Sequence, residues 1–299
     1  MLPRNAAIKF EAKKSMGRSL PLWIKVTFLL VGLEVAFLAL RGKLGGLLGM
    51  YMLRADSFPD AVSGYFPQEN GFQLIARVDE LGAIWAISLT YGDIIRFVVV
   101  NLVMFLLIAP LKIATMERYW SAFRGEMEKK NIFRWYTKPK LMGKALVVEG
   151  VVDLLCRSIG VLVMAASYGI IILIYQGILP SFMGIFGMFL MVGGMLFAFW
   201  LYTRLLPIRY CLAAQPDYPL GKIFERGRAS VRGYEKQFFG LMMSMLPWYF
   251  LSVVVFVAMD LYILPYVTFV AFQFLQEVAN HRRQTGEETE SPVVPQTQE

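Results

Sequence analysis

The chain contains an apolar run near its C-terminus that is too long for one soluble helix. From Phe238 to Val278 its only charged residues are Asp260 and Glu277. A helix needs about 20 apolar residues to cross the hydrocarbon core of a bilayer, so this run is long enough for two crossings. Hydrophobic residues make up 57% of the chain and charged residues 17%, against roughly 45 to 50% and about 25% in soluble domains. The sequence therefore predicts an integral membrane protein.

Similar apolar runs recur along the chain and predict an all-α fold, a polytopic transmembrane helical bundle of about six spans. The expected spans lie near residues 23–40, 94–113, 153–175, 182–206, 238–258 and 261–278. Residues 1–22 are expected to form a tail, 23–278 one transmembrane domain, and the polar residues 279–299 a disordered tail. Residues 81–92 remain ambiguous between an interfacial segment, a re-entrant segment and part of the second span.

The distribution of charge predicts the orientation of the bundle. Basic residues are concentrated in residues 1–22, in the loop between spans two and three, and in the loop between spans four and five. Residues 54–92, by contrast, carry only Arg54 and Arg77 against five acidic residues. Because cytoplasmic loops are enriched in Lys and Arg, we expect both termini in the cytoplasm. The net charge of +8 then indicates contact with anionic lipid headgroups, and no nucleic acid partner is expected.

Two stretches predict amphipathic interfacial helices on the cytoplasmic side. Between Leu220 and Phe238 the apolar residues keep one helical face. The opposite face carries the candidate contacts to lipid headgroups, Lys222, Arg226, Arg232 and Lys236. This helix is interpreted either as a topology anchor or as a surface that recognises lipid or a partner. The second stretch, which includes Tyr119 and Trp120, has the aromatic character of a headgroup-level anchor.

Ionisable and polar residues inside spans are the best candidates for a site, since each charge costs about 2.5 to 3.5 kcal/mol at mid-bilayer on insertion scales. Glu34 is expected to face protein or water, with Arg96 or Arg157 as its partner. Glu149 and Asp153 precede Arg157 at intervals of four and therefore share a helix face with it. This ladder is either structural or part of a path for a solute, ion or proton. The complete candidate set is Glu34, Arg96, Asn101, Glu149, Asp153 and Arg157.

Signatures of soluble enzymes are missing from the sequence. The single histidine, His281, lies in the polar tail, and there is no HExxH, no GxSxG and no phosphate-binding glycine loop. Cys156 and Cys211 lack CxxC spacing and are expected to be reduced and buried. We therefore predict no cofactor, no metal and no catalytic residue. The glycines near residues 184–194 favour a close helix contact over a substrate groove. A membrane-protein partner or a homo-oligomer is a separate expectation.

Residues of the C-terminal third match a recurrent pattern: Arg228-Ala229-Ser230-Val231-Arg232-Gly233, Phe239, Ser244, Trp248, Leu251, Leu264-Pro265-Tyr266 and Phe274. Through them the chain resembles a family of uncharacterised bacterial integral membrane proteins, common in Gram-positive bacteria and known as a domain of unknown function. The segment from Pro110 to Phe133 is similar to the same family. The resemblance extends over roughly residues 94–278. It implies a multi-span helical fold and a membrane location, but no activity and no site residue.

Together these features favour a non-enzymatic plasma-membrane protein that assists membrane or envelope processes through lipid or protein contacts. One alternative is a transporter or channel for a small solute, ion or lipid. A second alternative is an intramembrane enzyme. A transporter requires a polar site at mid-membrane, whereas an enzyme requires acid and base groups around a shared point.

Overall fold

The computed structural model describes residues 5–47, 50–54, 64–68, 71–78, 83–126, 131–175, 178–248 and 260–286. Helices dominate this part of the chain: α1 (Asn5–Arg18), α2 (Leu20–Leu47), α3 (Tyr91–Phe123), α4 (Arg134–Thr137), α5 (Pro139–Glu149), α6 (Leu155–Tyr175), α7 (Met183–Ala214), α8 (Leu220–Val231), α9 (Glu235–Met243) and α10 (Asp260–Gln284). A π-helical turn, Gly150–Leu154, joins α5 to α6. Four strands lie between α2 and α3: β1 (Met50–Arg54), β2 (Gly64–Gln68), β3 (Gly71–Val78) and β4 (Ala83–Thr90).

Four of the described helices are long and apolar enough to cross a membrane. The qualifying segments are Leu20–Phe37 in α2, Val98–Phe123 in α3, Met183–Ala214 in α7 and Leu261–Gln284 in α10. They overlap the predicted spans 23–40, 94–113, 182–206 and 261–278. The predominantly helical class is therefore confirmed, and these four helices are compatible with a membrane protein. The total of six spans and their orientation remain predictions.

The chain divides into two compact units. The first comprises Met1–Leu33, Leu107–Val161 and Gly194–Glu299, and the second comprises Glu34–Leu106 and Leu162–Gly193. Four long helices, α2, α3, α6 and α7, contribute residues to both units.

Helix α10 supplies the centre of the hydrophobic core in the first unit. Phe269 and Phe272 are fully buried, and the ring of Trp120 in α3 meets Phe272 edge-on at 5.0 Å between centroids. Helix α1 packs against α10 and buries Ile8 and Ala12, which its four-residue spacing places on one face. Tyr119 is buried as well. The interpretation of Tyr119 and Trp120 as a headgroup-level anchor is therefore wrong, because both rings are used in protein packing.

The amphipathic stretch after Leu220 is two helices rather than one. Helix α8 ends at Val231, and Gly233 follows with a φ of 84°. This backbone conformation is easily adopted only by glycine, and it turns the chain before α9 begins at Glu235. The apolar face of α8 does not lie on lipid, because Ile223 and Val231 are buried in the protein core.

A glycine allows α8 to approach α7 closely. A Cβ atom at Gly227 would lie 2.6 Å from the Cα of Ile208, a separation that no larger residue tolerates without movement of the backbone. The two backbones are therefore in direct contact at this point. This contact fixes α8 against the C-terminal part of α7.

The second unit contains a four-stranded antiparallel sheet with strand order β1-β4-β3-β2. The all-α prediction did not include it, and residues 83–90 of the ambiguous 81–92 segment form strand β4. In the same unit α6 and α7 pack closely at glycines: a Cβ at Gly187 would lie 3.4 Å from Ile170, and one at Gly184 would lie 3.7 Å from Ile174. The expected close helix contact is thus found between two helices of the same chain.

Two predicted boundaries differ from the structure. The predicted span 238–258 is interrupted, because α9 ends at Met243 and the chain turns at Ser244 and Met245. Phe238 and Leu241 of α9 are buried in the core, so this part cannot face lipid. The tail predicted from residue 279 onwards is helical as far as Gln284. Residues 249–259 and 287–299 lie outside the described residues.

Candidate functional site

The first candidate site is a buried ion pair between α5 and α7. The guanidinium Nη2 of Arg209 donates to Oε2 of Glu149 at 2.6 Å. The two side chains are only 4% and 1% exposed. Glu149 is the last residue of α5, and Arg209 lies in the C-terminal part of α7. A buried pair of this kind is retained because removal of either partner leaves an uncompensated charge.

Two further charges extend this pair towards solvent. Asp153 lies 3.6 Å from Arg209 and 3.6 Å from Lys112 of α3. The side chains of Asp153 and Lys112 are 22% and 19% exposed. One end of the cluster is therefore buried, and the other end is partly exposed to solvent. We call these four residues the charge cluster. It contains two acids and two bases and is therefore neutral in sum.

Tyr202 completes the surroundings of Arg209. The guanidinium Nη1 donates to the phenolic oxygen at 3.0 Å, and the guanidinium carbon lies 5.6 Å from the centre of the ring. Tyr202 and Arg209 are seven residues apart in α7, a spacing that returns to the same helix face after two turns. The arginine is thus oriented by its own helix as well as by Glu149.

The π-helical turn Gly150–Leu154 lies directly between Glu149 and the start of α6 and contains Asp153. Wide turns of this type interrupt α-helices at a cost and recur at functional sites. Within the described residues, Oε1 of Glu149 and Nε of Arg209 are buried without a hydrogen-bond partner. Burial raises the pKa of the Glu149 carboxyl above its ordinary value, and the charges of Arg209 and Lys112 oppose that rise.

The structure brings together two of the six polar candidates. Glu149 and Asp153 meet through Arg209, which the sequence analysis treated only as a basic loop residue. The sequence does contain a feature that singles out Arg209, since it is a lone charge in the apolar run LPIRYCLAA. Glu34 and Asn101 are half-buried. The side chains of Arg96 and Arg157 lie outside the described part of the structure, so the proposed partners of Glu34 stay predictions.

The second candidate site is the exposed face of α8 and the start of α9. Lys222, Arg232 and Lys236 are exposed, as the sequence predicts, and Arg228 joins them. Arg226 does not belong to this group, because its guanidinium stacks on Tyr218 at 4.4 Å and contacts Gln215 at 3.4 Å. We call Lys222, Arg228, Arg232 and Lys236 the basic face.

The basic face is held in place by α10. Arg282 is buried and donates to the backbone oxygens of Ala229 at 2.9 Å and Arg232 at 2.5 Å. Its guanidinium carbon also lies 5.9 Å from the ring centre of Tyr234. The last carbonyls of a helix have no partner within the helix, and a cation in this position satisfies them. Arg282 therefore fixes the end of α8 relative to α10.

Among the described residues no group of three or more His, Cys, Asp or Glu is arranged to hold a metal ion. Cys156 and Cys211 are both free thiols and both buried. Comparison of the chain with protein-family models, with curated proteins and with solved structures gives no match.

Proposed function

We propose that this chain is a multi-pass protein of the plasma membrane that acts without catalysis, by holding the basic face against anionic lipid headgroups. The observation that carries the proposal is the rigid support of that face. The apolar residues of α8 are buried in protein, Gly227 contacts α7 directly, and Arg282 anchors the end of the helix. The four residues of the basic face remain exposed.

Electrostatic attraction supports this choice of ligand. Each Lys or Arg near an anionic surface contributes about 1 kcal/mol, an effect that falls off within a Debye length. Four fixed basic residues lose less conformational freedom on binding than four on a flexible loop, because their backbone is already ordered. The basic face is therefore expected to select anionic over zwitterionic lipid, and salt is expected to weaken that selection.

Lipid retention measured by native mass spectrometry tests the proposal. Detergent-solubilised protein is titrated with phosphatidylglycerol and with phosphatidylcholine. Replacement of Lys222, Arg228, Arg232 and Lys236 by Gln is expected to abolish the preference for phosphatidylglycerol. Each single replacement is expected to weaken binding about fivefold, on the basis of about 1 kcal/mol per residue.

A matched control removes the same charge elsewhere. Lys13, Lys14, Lys138 and Lys140 are also exposed, and their replacement by Gln changes the net charge equally. This control variant is expected to retain the preference for phosphatidylglycerol. Equal losses in the two variants would show that net charge, and not the basic face, attracts the lipid, and the proposal would then be abandoned.

The charge cluster supports a second candidate function, the passage of protons. Acidic side chains within membrane proteins recur in proton paths, and here the carboxyl oxygen Oε1 of Glu149 is buried without a partner in the described structure. Proton uptake into proteoliposomes, followed with an enclosed pH-sensitive dye, tests this function. The Glu149→Gln variant is expected to lose uptake.

The control for this experiment is Glu117→Gln. Glu117 is likewise buried and paired with an arginine, Arg134, and its Oε2 accepts from Nε1 of Trp135 at 2.8 Å. It lies outside the charge cluster, so its replacement is expected to leave proton uptake unchanged. An absence of uptake in the unaltered protein would reject proton passage and leave the charge cluster with a structural role.

A further inference from the structure

Three side chains of α7 form a continuous stack on the exposed side of the helix. The rings of Phe197 and Trp200 are stacked, with centroids 5.7 Å apart and planes inclined by 29°. The guanidinium carbon of Arg204 lies 4.4 Å from the centre of the Trp200 ring. Residues three and four positions apart share one face of a helix, which explains the contact. We call Phe197, Trp200 and Arg204 the aromatic–arginine stack.

The guanidinium of Arg204 keeps its hydrogen-bond donors available for a ligand. The side chain is exposed, and among the described residues its contact is with the face of the Trp200 ring. Stacking occupies the flat face of a guanidinium, whereas its N–H groups point outwards in the plane. Arg209 in the same helix differs, because it is buried and donates to Glu149 and Tyr202.

The position of Arg204 along α7 corresponds to the headgroup level of a bilayer. Helix α7 has no charged residue from Met183 to Thr203, and Arg204 is the first. A segment of about 20 apolar residues crosses the hydrocarbon core. Tryptophan is enriched at the same level, since its ring has an apolar body and a polar N–H. With α7 across a bilayer, the stack lies where lipid phosphates meet the acyl chains.

The stack is supported by protein behind it and open in front. Phe197 is 52% exposed. Phe199, on another side of the helix, packs against Phe239 of α9 with ring centroids 5.8 Å apart. Leu205 and Leu206 are buried in the core of the first unit. This part of α7 is therefore fixed in place while the stack faces outwards.

We propose that the aromatic–arginine stack binds the phosphate group of a single phospholipid, with Arg204 donating to the phosphate oxygens and Phe197 in contact with the acyl chains. A guanidinium can donate two parallel hydrogen bonds to a phosphate. The Trp200 ring orients the guanidinium before the lipid binds, which reduces the conformational freedom lost on binding. Because every phospholipid has this phosphate, the stack recognises phosphate and not the net charge of the headgroup. The inference is independent of the basic face.

Lipid retention measured by native mass spectrometry tests the proposal with two lipids that have the same acyl chains. One is phosphatidylcholine, and the other is monogalactosyldiacylglycerol, which has no phosphate. The unaltered protein is expected to retain phosphatidylcholine about tenfold more strongly, on the basis of charge-assisted hydrogen bonds. Arg204→Gln is expected to abolish this preference. Arg204→Lys is expected to weaken it, since lysine keeps the charge but loses the planar geometry.

Two controls separate the stack from other positive charges. Arg18→Gln removes an exposed arginine at the end of α1 and is expected to retain the preference for phosphatidylcholine over the galactolipid. The variant with four Gln on the basic face is expected to retain it as well. Conversely, Arg204→Gln is expected to keep the preference for phosphatidylglycerol over phosphatidylcholine. Loss of the phosphatidylcholine preference in either control would attribute it to positive charge in general and overturn the proposal.

Inorganic phosphate distinguishes a lipid site from a site for free anions. An excess of it is expected to leave phosphatidylcholine bound, because contact of the acyl chains with Phe197 adds to the phosphate hydrogen bonds. Displacement of the lipid by inorganic phosphate would contradict the proposal. Thermal unfolding in detergent shows whether the variants fold, and the unaltered protein needs no such check: equal retention of the two lipids by it would by itself reject the proposed site.

Discussion

At the scale of single residues, the close approach of α8 to α7 depends on the missing side chain of Gly227. We expect Gly227→Ala to lower stability by about 1 to 3 kcal/mol, the usual cost of overpacking, because the new methyl group meets the Ile208 backbone. The control is Gly221→Ala in the same helix, where no atom lies within 4 Å of the new Cβ. Alanine favours helix by up to about 1 kcal/mol there. Thermal unfolding in detergent measures both effects, and a stable Gly227→Ala variant would refute the contact.

The charge cluster makes a prediction about pH. Replacement of Arg209 by Gln removes the main positive charge that opposes the rise in the pKa of Glu149. In this variant the pKa of Glu149 is therefore expected to rise further. A carboxyl with a higher pKa in the folded than in the unfolded chain contributes stability below its ordinary value of 4.5, and this contribution is lost as pH rises through the folded pKa. The variant is therefore expected to lose thermal stability, relative to the unaltered protein, as pH rises above the ordinary carboxyl value of 4.5.

The double variant Glu149→Gln/Arg209→Gln is the control for this pH effect. It lacks the titrating carboxyl, so its stability is not expected to show the loss with rising pH that comes from Glu149. At neutral pH the single Arg209→Gln variant should be the least stable, since an unpaired buried charge costs about 3 to 5 kcal/mol. Identical pH profiles for the single and double variants would show that Glu149 does not carry the effect.

Sequence reasoning identified part of this cluster and missed the rest for a physical reason. Glu149 and Asp153 were found because charges at four-residue spacing share a helix face. Arg209 and Lys112 were not, since both lie on other helices and their proximity depends on tertiary packing. The π-helical turn is likewise invisible in the sequence, where GVVDL has no feature that distinguishes it from α-helix.

At the scale of helices and strands, the periodicity of apolar residues correctly predicted that α8 is amphipathic. The surroundings predicted for its apolar face were wrong. The apolar residues of α8 were expected to lie on lipid, and they lie on α7 and α10 instead. Hydrophobicity alone does not distinguish these two apolar surroundings. The sheet was missed because its residues, such as the run AIWAISLT, are as apolar as those of a short helical segment.

The attachment of α8 to α10 gives a prediction at this scale. We expect Arg282→Gln to release the C-terminal turn of α8, because the buried guanidinium bonds to Ala229 and Arg232 are lost. Hydrogen bonds to charged groups contribute about 1.5 to 3 kcal/mol each. Faster amide hydrogen exchange in α8 should report the release. Exchange in α5 serves as an internal reference and should not change.

The neighbouring Arg283 provides a matched control, since it is exposed and has the same charge. Arg283→Gln is expected to leave amide exchange in α8 unchanged. If both variants accelerate exchange to the same extent, the cause is the loss of positive charge near the C-terminus and not the loss of the anchor.

At the scale of the whole molecule, the contacts of Arg282 bear on the topology. They place the C-terminal end of α10 beside α8, which follows the end of α7 after the short stretch of residues 215–219. The end of α10 and the end of α7 therefore lie on the same side of the first unit. This arrangement agrees with the charge pattern, which predicts a cytoplasmic location for the C-terminus and for the loop between the fourth and fifth spans.

Cysteine accessibility in intact cells tests the predicted topology. Lys13→Cys, Arg228→Cys and Gln284→Cys are expected to react with a membrane-impermeant maleimide only after the cells are opened, because all three positions are predicted to be cytoplasmic. Asn70→Cys, between β2 and β3, is expected to react in intact cells. The decisive position is Gln284, since the number of crossings after α7 determines its side. Labelling of Gln284→Cys only in opened cells would mean an even number of crossings after α7, as the charge pattern predicts, whereas labelling in intact cells would mean an odd number and would contradict the predicted topology.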